Sequence, residues 1–330
     1  MQRRNFLTQA IAIAGSAAVA PSFARAQGTS PFPSKAVRFI VPTPAGNALD
    51  AGARILADNL GELWKHGIFV DNRPGGMGVP GMMAAKTAAP DGYTVLIGAS
   101  AFLAINPALI PNISYDVHKD YQLLHGLFTV GMVLVSNPQS PYKTLADVLQ
   151  QARTSKIPLN IGYGGTPGTT QHIAAEMLVR RAGLQATLVP YKGSAPAMTD
   201  LIGGQIPLLM DSMASVTSQI RGGRVHPIAV AAPERAPQLP NVPTFSEQGL
   251  EDFTALAWGG VMLPADTPKP ISDRIAADVS AVLWRPEVAR RMTSAGLVVD
   301  RRDGPAWTAF VKAEHQKYAQ VIRAANITPA

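Results

Sequence analysis

Three loops rich in glycine and hydroxyl groups hold the residues best suited to chemistry. Each stands between an apolar run and a helical pattern. The first is Pro42-Thr43-Pro44-Ala45-Gly46-Asn47-Ala48-Leu49-Asp50. Its prolines stiffen the entry, and Gly46 lets backbone approach a small molecule closely. Asn47 suits a helix cap or a ligand contact, capping being the commoner role. Asp50 falls in the first helical turn, where its charge suits the dipole but opposes a ligand carboxylate placed beside it. A loop-bracing Asp50 is therefore expected over a direct contact. The second loop, Gly162 to His172, carries Thr166, Thr169 and Thr170. These hydroxyls, with free N–H groups of a helix start, suit a carboxylate, or simply cap the helix. His172 is expected to be packed or bracing. The third loop, Gly98 to Pro107, offers the Ser100 hydroxyl, Ala101 and Phe102, the last as an apolar wall or a core side chain.

Enzyme signals are weak. Gly98-Ala99-Ser100-Ala101-Phe102 lacks the second glycine of a nucleophile elbow. Gly76 to Gly81 matches G-x-G-x-x-G, but Pro80 intrudes and the motif alone says little. No phosphate-binding G-x-x-x-x-G-K-[ST] run occurs. The chain has no cysteine, which excludes disulfides, thiolate zinc sites and thiol nucleophiles, and its six histidines show no tight ligand spacing. Lys192 and Asp211 suit a structural ion pair near a strand end better than a base and its partner. No cofactor and no metal is expected.

The elements that must position these loops follow from patterning. The 330 residues are 47% hydrophobic and only 15% charged, enough for a large core and about two domains. Strand-like runs at 37–42, 68–70, 94–98, 130–135, 159–161 and 255–263 alternate with helical patterns at 48–63, 144–153 and 170–182. Strand–helix pairs continue at 186–203 and 206–221, a further strand at 226–230, and helices close the chain at 271–283, 286–295 and 305–324. That alternation predicts layered α/β structure, whose ligands bind at the carboxyl ends of strands. The long strands near 130–135 and 255–263 suit crossings between two lobes.

Residues 1–26 have the form of an export signal: Arg3 and Arg4, an apolar stretch from Ala10 to Ala20, and Ala24-Arg25-Ala26 before a new start at Gln27. Arg3-Arg4 with Phe6-Leu7 resembles a twin-arginine signal, with a general secretory signal as the alternative. The apolar stretch is shorter than the roughly 20 residues a spanning helix needs. The whole chain carries +7; without Arg3, Arg4 and Arg25 it carries +4, with no basic cluster, so nucleic acid is not expected as a partner.

Six short motifs occur in order: Pro33 to Pro42, Asp71-Asn72-Arg73-Pro74-Gly75-Gly76, Ala89-Pro90-Asp91-Gly92-Tyr93-Thr94, Ala104-Ile105-Asn106-Pro107, Val189-Pro190-Tyr191-Lys192-Gly193 and Leu239-Pro240-Asn241-Val242-Pro243-Thr244. Together they resemble the substrate-binding proteins of tripartite tricarboxylate transporters, the Bug family. The resemblance implies an α/β fold of the type II periplasmic binding-protein kind, with two lobes joined by two crossover strands. Lobe 1 is expected at 31–129 and 255–330, lobe 2 at 130–254. It implies a periplasmic, non-catalytic receptor that closes on a small carboxylate and delivers it to a transporter with two membrane subunits. A monomer is the default. By this resemblance Thr43, Pro44, Gly46 and Asn47 face the ligand from one lobe, and Thr166, Thr169 and Thr170 from the other. Tyr191, Lys192 and Asp211 stand near the cleft, with Lys192 grouped with Asp50 and His172 as a brace. The family's first loop commonly runs P-G-G-x-T-D; here Ala45, Asn47, Ala48 and Leu49 remove hydroxyls and add apolar bulk. A carboxylate with an apolar or aromatic body is therefore expected over a citrate-like one. An exported hydrolase or isomerase, or a sensory receptor, are the competing readings.

Overall fold

The computed structural model describes residues 32–155, 157–165 and 167–328. The export-signal segment and Thr166 lie outside the described residues. Strand β1 (Val37–Val41) pairs in parallel with β2 (Ile68–Asn72) and β3 (Thr94–Ala99). Helix α1 (Ala48–Trp64) follows β1, and the short α2 (Val79–Lys86) follows β2. After β3 the chain enters a wide helical turn, Ala101–Ile105, and a short helix α3 (Asn106–Leu109), so the third loop is largely helical.

The long strand β4 (Tyr121–Ser136) begins well before the apolar run that marked it in the sequence. His125 and Gly126 interrupt the apolar pattern there, yet both residues are paired with a neighbouring strand. Helix α4 (Leu145–Thr154) carries a capping box, with Thr144 and Asp147 each accepting a backbone N–H. Then come β5 (Leu159–Gly164), α5 (Thr170–Ala182), β6 (Ala186–Tyr191), α6 (Ser194–Ile202), β7 (Leu208–Ser212), α7 (Met213–Arg221) and β8 (His226–Ala231). Strand β9 (Leu256–Pro264), helices α8 (Lys269–Leu283) and α9 (Pro286–Ser294), the two-residue β10 (Val298–Val299) and α10 (Gly304–Ala324) complete the chain.

One sheet runs in the order β2-β1-β3-β9-β4-β7-β5-β6, with β8 and β10 also paired to β4. Register decides where its active ends lie. The last residue of β3, Ala99, stands opposite Gly259 of β9, which in turn stands opposite Phe128 of β4. Strand β7 runs antiparallel to β4 and ends with Ser212 opposite Met132. The carboxyl ends of β3 and β7 thus approach head-on, four residues apart along β4. At strand rise that is about 13 Å. Strand β1 lies parallel beside β3, and β5 and β6 lie parallel beside β7, so their ends meet in the same region.

Helix packing holds this frame. Leu49, Ala53, Leu56 and Leu60 form one buried stripe of α1, at the spacing of a helix face. In α10, Trp307, Val311, Tyr318 and Ile322 do the same. Trp307 meets Trp258 of β9 edge to face at 5.2 Å. Gly260 makes room for it, since a Cβ there would stand 2.2 Å from the Trp307 ring.

Candidate functional site

The first loop is built around a carboxylate of the protein itself. Asn47 caps α1, its Oδ1 accepting from the Asp50 N–H at 3.0 Å and from the Thr43 hydroxyl at 3.2 Å. Asp50 is buried and accepts from Gly46 N–H, Asn72 Nδ2 and Arg54 Nε, each at 2.9 Å. Asn72 also donates to the Thr43 carbonyl at 3.1 Å, tying the end of β2 to this loop. Burial alone would raise the Asp50 pKa, but the hydrogen bonds from Arg54, Gly46 and Asn72 together hold it below the ordinary carboxylate range. Asp50 therefore shapes the loop, while Pro44 and Gly46 are exposed at its tip.

The β3 end contributes Ser100, which is buried, with its hydroxyl 3.5 Å from that of Thr170 at the start of α5. This contact joins the two facing groups of strand ends. The neighbouring Ala101 opens the wide turn and is half-buried. Phe102 is packed beneath Gly78, where a Cβ would lie 2.2 Å from its ring. Gly78 holds φ +80°, and Asn106 donates to the Met77 carbonyl at 2.7 Å, so the β2–α2 loop is pinned over Phe102. The ring is 6% exposed, a packed position.

In the second loop, Thr169 caps α5 by accepting from the His172 N–H at 3.4 Å. The Gly168 N–H donates to His172 Nδ1 at 3.1 Å, which closes the turn. His172 stacks on Tyr163 at 4.6 Å, and its Nε2 lies 3.7 Å from Glu176. Burial lowers the His172 pKa, so the imidazole is favoured neutral, with Nδ1 as acceptor.

The ends of β6 and β7 depart from expectation. The Tyr191 hydroxyl donates to Asp200 Oδ2 at 2.8 Å, and burial, with that carboxylate, pushes its pKa up to about 12. Its polar end is thus committed to α6. Lys192 is exposed and forms no side-chain hydrogen bond or ion pair among the described residues. The expected pairing of Lys192 with Asp211 is absent: a hydrated ammonium stays in water while Asp211 is sealed at 0% exposure. Asp211 Oδ1 instead accepts from Ser212 N–H at 2.7 Å, Ser194 Oγ at 2.9 Å and Gln171 Nε2 at 3.4 Å. Oδ2 has no partner among the described residues, and burial raises the pKa of this carboxyl. Sequence reasoning missed Gln171, Ser194 and Ser215; the signal available was a polar residue at each of three successive helix starts.

These facing ends can receive an anion through backbone N–H groups at the starts of α1 and α5 and through hydroxyls. The nearby fixed charges are internal: Asp50 is matched by Arg54, and Asp211 is held by neutral donors. A separate cavity of about 480 Å³ is lined by Thr129 and Gly131 of β4, Leu256, Arg235, Arg302 and Phe310. Arg302 there pairs with Asp300 and Arg235 with Glu247, so neither guanidinium is left over for an anion.

A sequence model described as tripartite tricarboxylate transporter family receptor matches residues 52–327. BugT of Bordetella pertussis is 30% identical over 319 residues, 96% of this chain and 97% of its own. A solved structure of R. palustris Rpa4515 with adipate is 28% identical, with a TM-score of 0.78 over 91% of this chain and 100% of that one. MatC from Rhodopseudomonas palustris with bound malate is 29% identical, with a TM-score of 0.73 over 88% and 100%. Fold and facing strand ends thus define an α/β protein of the periplasmic binding-protein class, as the motifs implied. The chain belongs to the tripartite tricarboxylate transporter receptor family, the family of the Bug proteins.

Proposed function

We propose that this protein is an exported receptor that captures a small carboxylate in the periplasm and passes it to a membrane transporter with two membrane subunits. The observation that carries the reading is the head-on approach of the carboxyl ends of β3 and β7, with β1 and β5, which lead into the capped starts of α1 and α5, lying parallel beside them. Thr43, Pro44, Gly46 and Asn47 take one side of the ligand. Thr166, Thr169 and Thr170 take the other, with Ser100 and Ala101 between and Phe102 packed behind them. Asp50 and His172 brace their loops. Residues 31–129 with 255–330 form one lobe and 130–254 the other; they hinge on β4 and β9, and the receptor works as a monomer. Residues 1–26 direct export by a twin-arginine route. Adipate and malate in the two R. palustris structures support the ligand class. The apolar additions in the first loop favour an acid with an apolar or aromatic body.

A micromolar ligand requires about −8 kcal/mol. A helix dipole contributes about 0.3–1 kcal/mol at exposed sites, and a hydrogen bond to a charged group about 1.5–3 kcal/mol. Several N–H and hydroxyl contacts must therefore converge, with closure removing water around them. The test is a thermal-shift screen of the chain from Gln27, unfolded and refolded to strip carried-over ligand. The panel holds aliphatic, aromatic, di- and tricarboxylates. An acid at 100 times its dissociation constant adds about 2.7 kcal/mol of stability. The expected result is a clear shift with one acid series and no product formed. Folded protein that shifts with no acid, or that converts the acid it binds, overturns the reading.

A further inference from the structure

The hydroxyls around Asp211 have a direction, and that direction selects a ligand group. Ser194 opens α6, Ser212 caps α7 and Ser215 lies one turn into α7. A serine has one proton to donate. Ser194 gives its proton to Asp211 Oδ1 at 2.9 Å, and Ser215 turns its proton the same way, toward Ser194 Oγ at 3.1 Å and Asp211. The remaining contact, Ser212 Oγ to Ser215 Oγ at 2.8 Å, must then carry the proton of Ser212. All three protons run inward to one fully buried carboxylate. Oδ1 is already an acceptor for Ser212 N–H and Gln171 Nε2, so a proton on Oδ2 would leave this order unchanged. Ser194 and Ser212 are half-buried and keep one lone pair each, Ser212 also accepting the Ser215 N–H at 3.3 Å. This side of the facing strand ends therefore presents acceptors, in contrast to the N–H groups at the starts of α1 and α5.

We propose that Ser194 and Ser212 form an acceptor subsite, oriented by Ser215 and anchored on Asp211, that takes a hydroxyl of the ligand, making this receptor selective for hydroxy-acids over the matching unsubstituted acids. The inference rests on the carboxylate-receptor reading and adds the group at the other end of the ligand. The carboxylate sits at the starts of α1 and α5, where backbone N–H groups gather, and the hydroxyl donates to Ser194 or Ser212. A second carboxylate in the same place would meet lone pairs beside a buried carboxyl.

The test uses stripped mature protein and titration calorimetry with acids differing by one hydroxyl: succinate and malate, adipate and 3-hydroxyadipate, 3-phenylpropionate and phenyllactate. The hydroxy member of the pair that binds is expected to bind about tenfold more tightly. Ser194→Ala together with Ser212→Ala removes both acceptors, and the preference should fall below about threefold. Melting curves check that the double variant folds. A plain acid that binds as tightly as its hydroxy partner, or a preference that survives both substitutions, overturns this assignment alone. If no member of any pair binds, the carboxylate-receptor reading fails and this inference with it.

Discussion

Removing the Asp50 carboxylate should loosen the first loop and weaken binding together. Asp50→Ala leaves three donors without their acceptor: Gly46 N–H, Asn72 Nδ2 and Arg54 Nε, all now at 2.9 Å. Their costs differ with exposure. Gly46 is exposed and Arg54 is half exposed, so water replaces much of what they lose, and the ion pair itself contributes about 0–1 kcal/mol. Asn72 is partly buried, and its orphaned amide costs about 1–2 kcal/mol. The sum is about 1–3 kcal/mol, or a melting point lower by roughly 2–8 °C for a chain of this size. Arg54→Ala, which leaves the Gly46 and Asn72 contacts, should lower it by less than about 3 °C. Freeing even one loop residue adds about 1–2 kcal/mol of ordering cost to binding, so the dissociation constant should rise about tenfold. Because the folded pKa of Asp50 is depressed, its contribution is present above about pH 4 and is lost as pH falls through the folded value. The gap between variant and parent should therefore close in acid. Melting curves at pH 3–7 and calorimetry with the best acid of the screen measure both effects. An unchanged melting point refutes the bracing argument. A lowered melting point with binding within twofold of the parent refutes the placement of this loop at the ligand.

Three further outcomes follow from the same geometry. Gly78→Ala should cost at least about 2 kcal/mol in urea unfolding, because φ +80° is unfavourable for alanine and its Cβ would stand 2.2 Å from the Phe102 ring; an unchanged midpoint would contradict it. Burial favours neutral His172, so the unfolded chain takes a proton first as pH drops through about 6.5, and stability falls in that window. His172→Gln should show a shallower loss between pH 7.5 and 5 in chemical denaturation, and an equal slope would count against it. Burial raises the Asp211 pKa, so the folded protein holds that proton longer and ionisation costs stability as pH rises through the folded value. Asp211→Asn should gain in melting temperature relative to the parent between pH 4 and 7; a constant difference would sink the argument.

The caps show how local chemistry was legible. Asn47 and Thr169 stand before helical patterns, and both cap. Asp50, in a first turn beside a glycine, suits a brace, and it accepts from three donors of its own loop, its own helix and β2. Phe102 was ambiguous because an apolar residue after a strand suits a core or a cleft wall alike; only the proximity of Gly78 decides for packing. Lys192 and Asp211 suit a pair in the sequence because opposite charges stand at the ends of consecutive strands. Sequence carries no sign of depth, and depth put one in water and the other out of it. The serine chain was invisible for a related reason: Ser194 and Ser215 lie 21 residues apart and meet only where α6 and α7 start side by side.

By itself, the sequence determined the alternation of strands and helices, the family and the three loops. These depend on residue type and spacing over a turn or two of chain. Tertiary structure alone decided that the ends of β3 and β7 face each other. Long-range pairings with β4 set that register, and its bulges between Leu123 and His125 and between Gly126 and Phe128 leave no local signature. It also decided which carboxylates are buried and which way the hydroxyl protons run. Each of those depends on groups far apart in sequence that compete for the same water-free space.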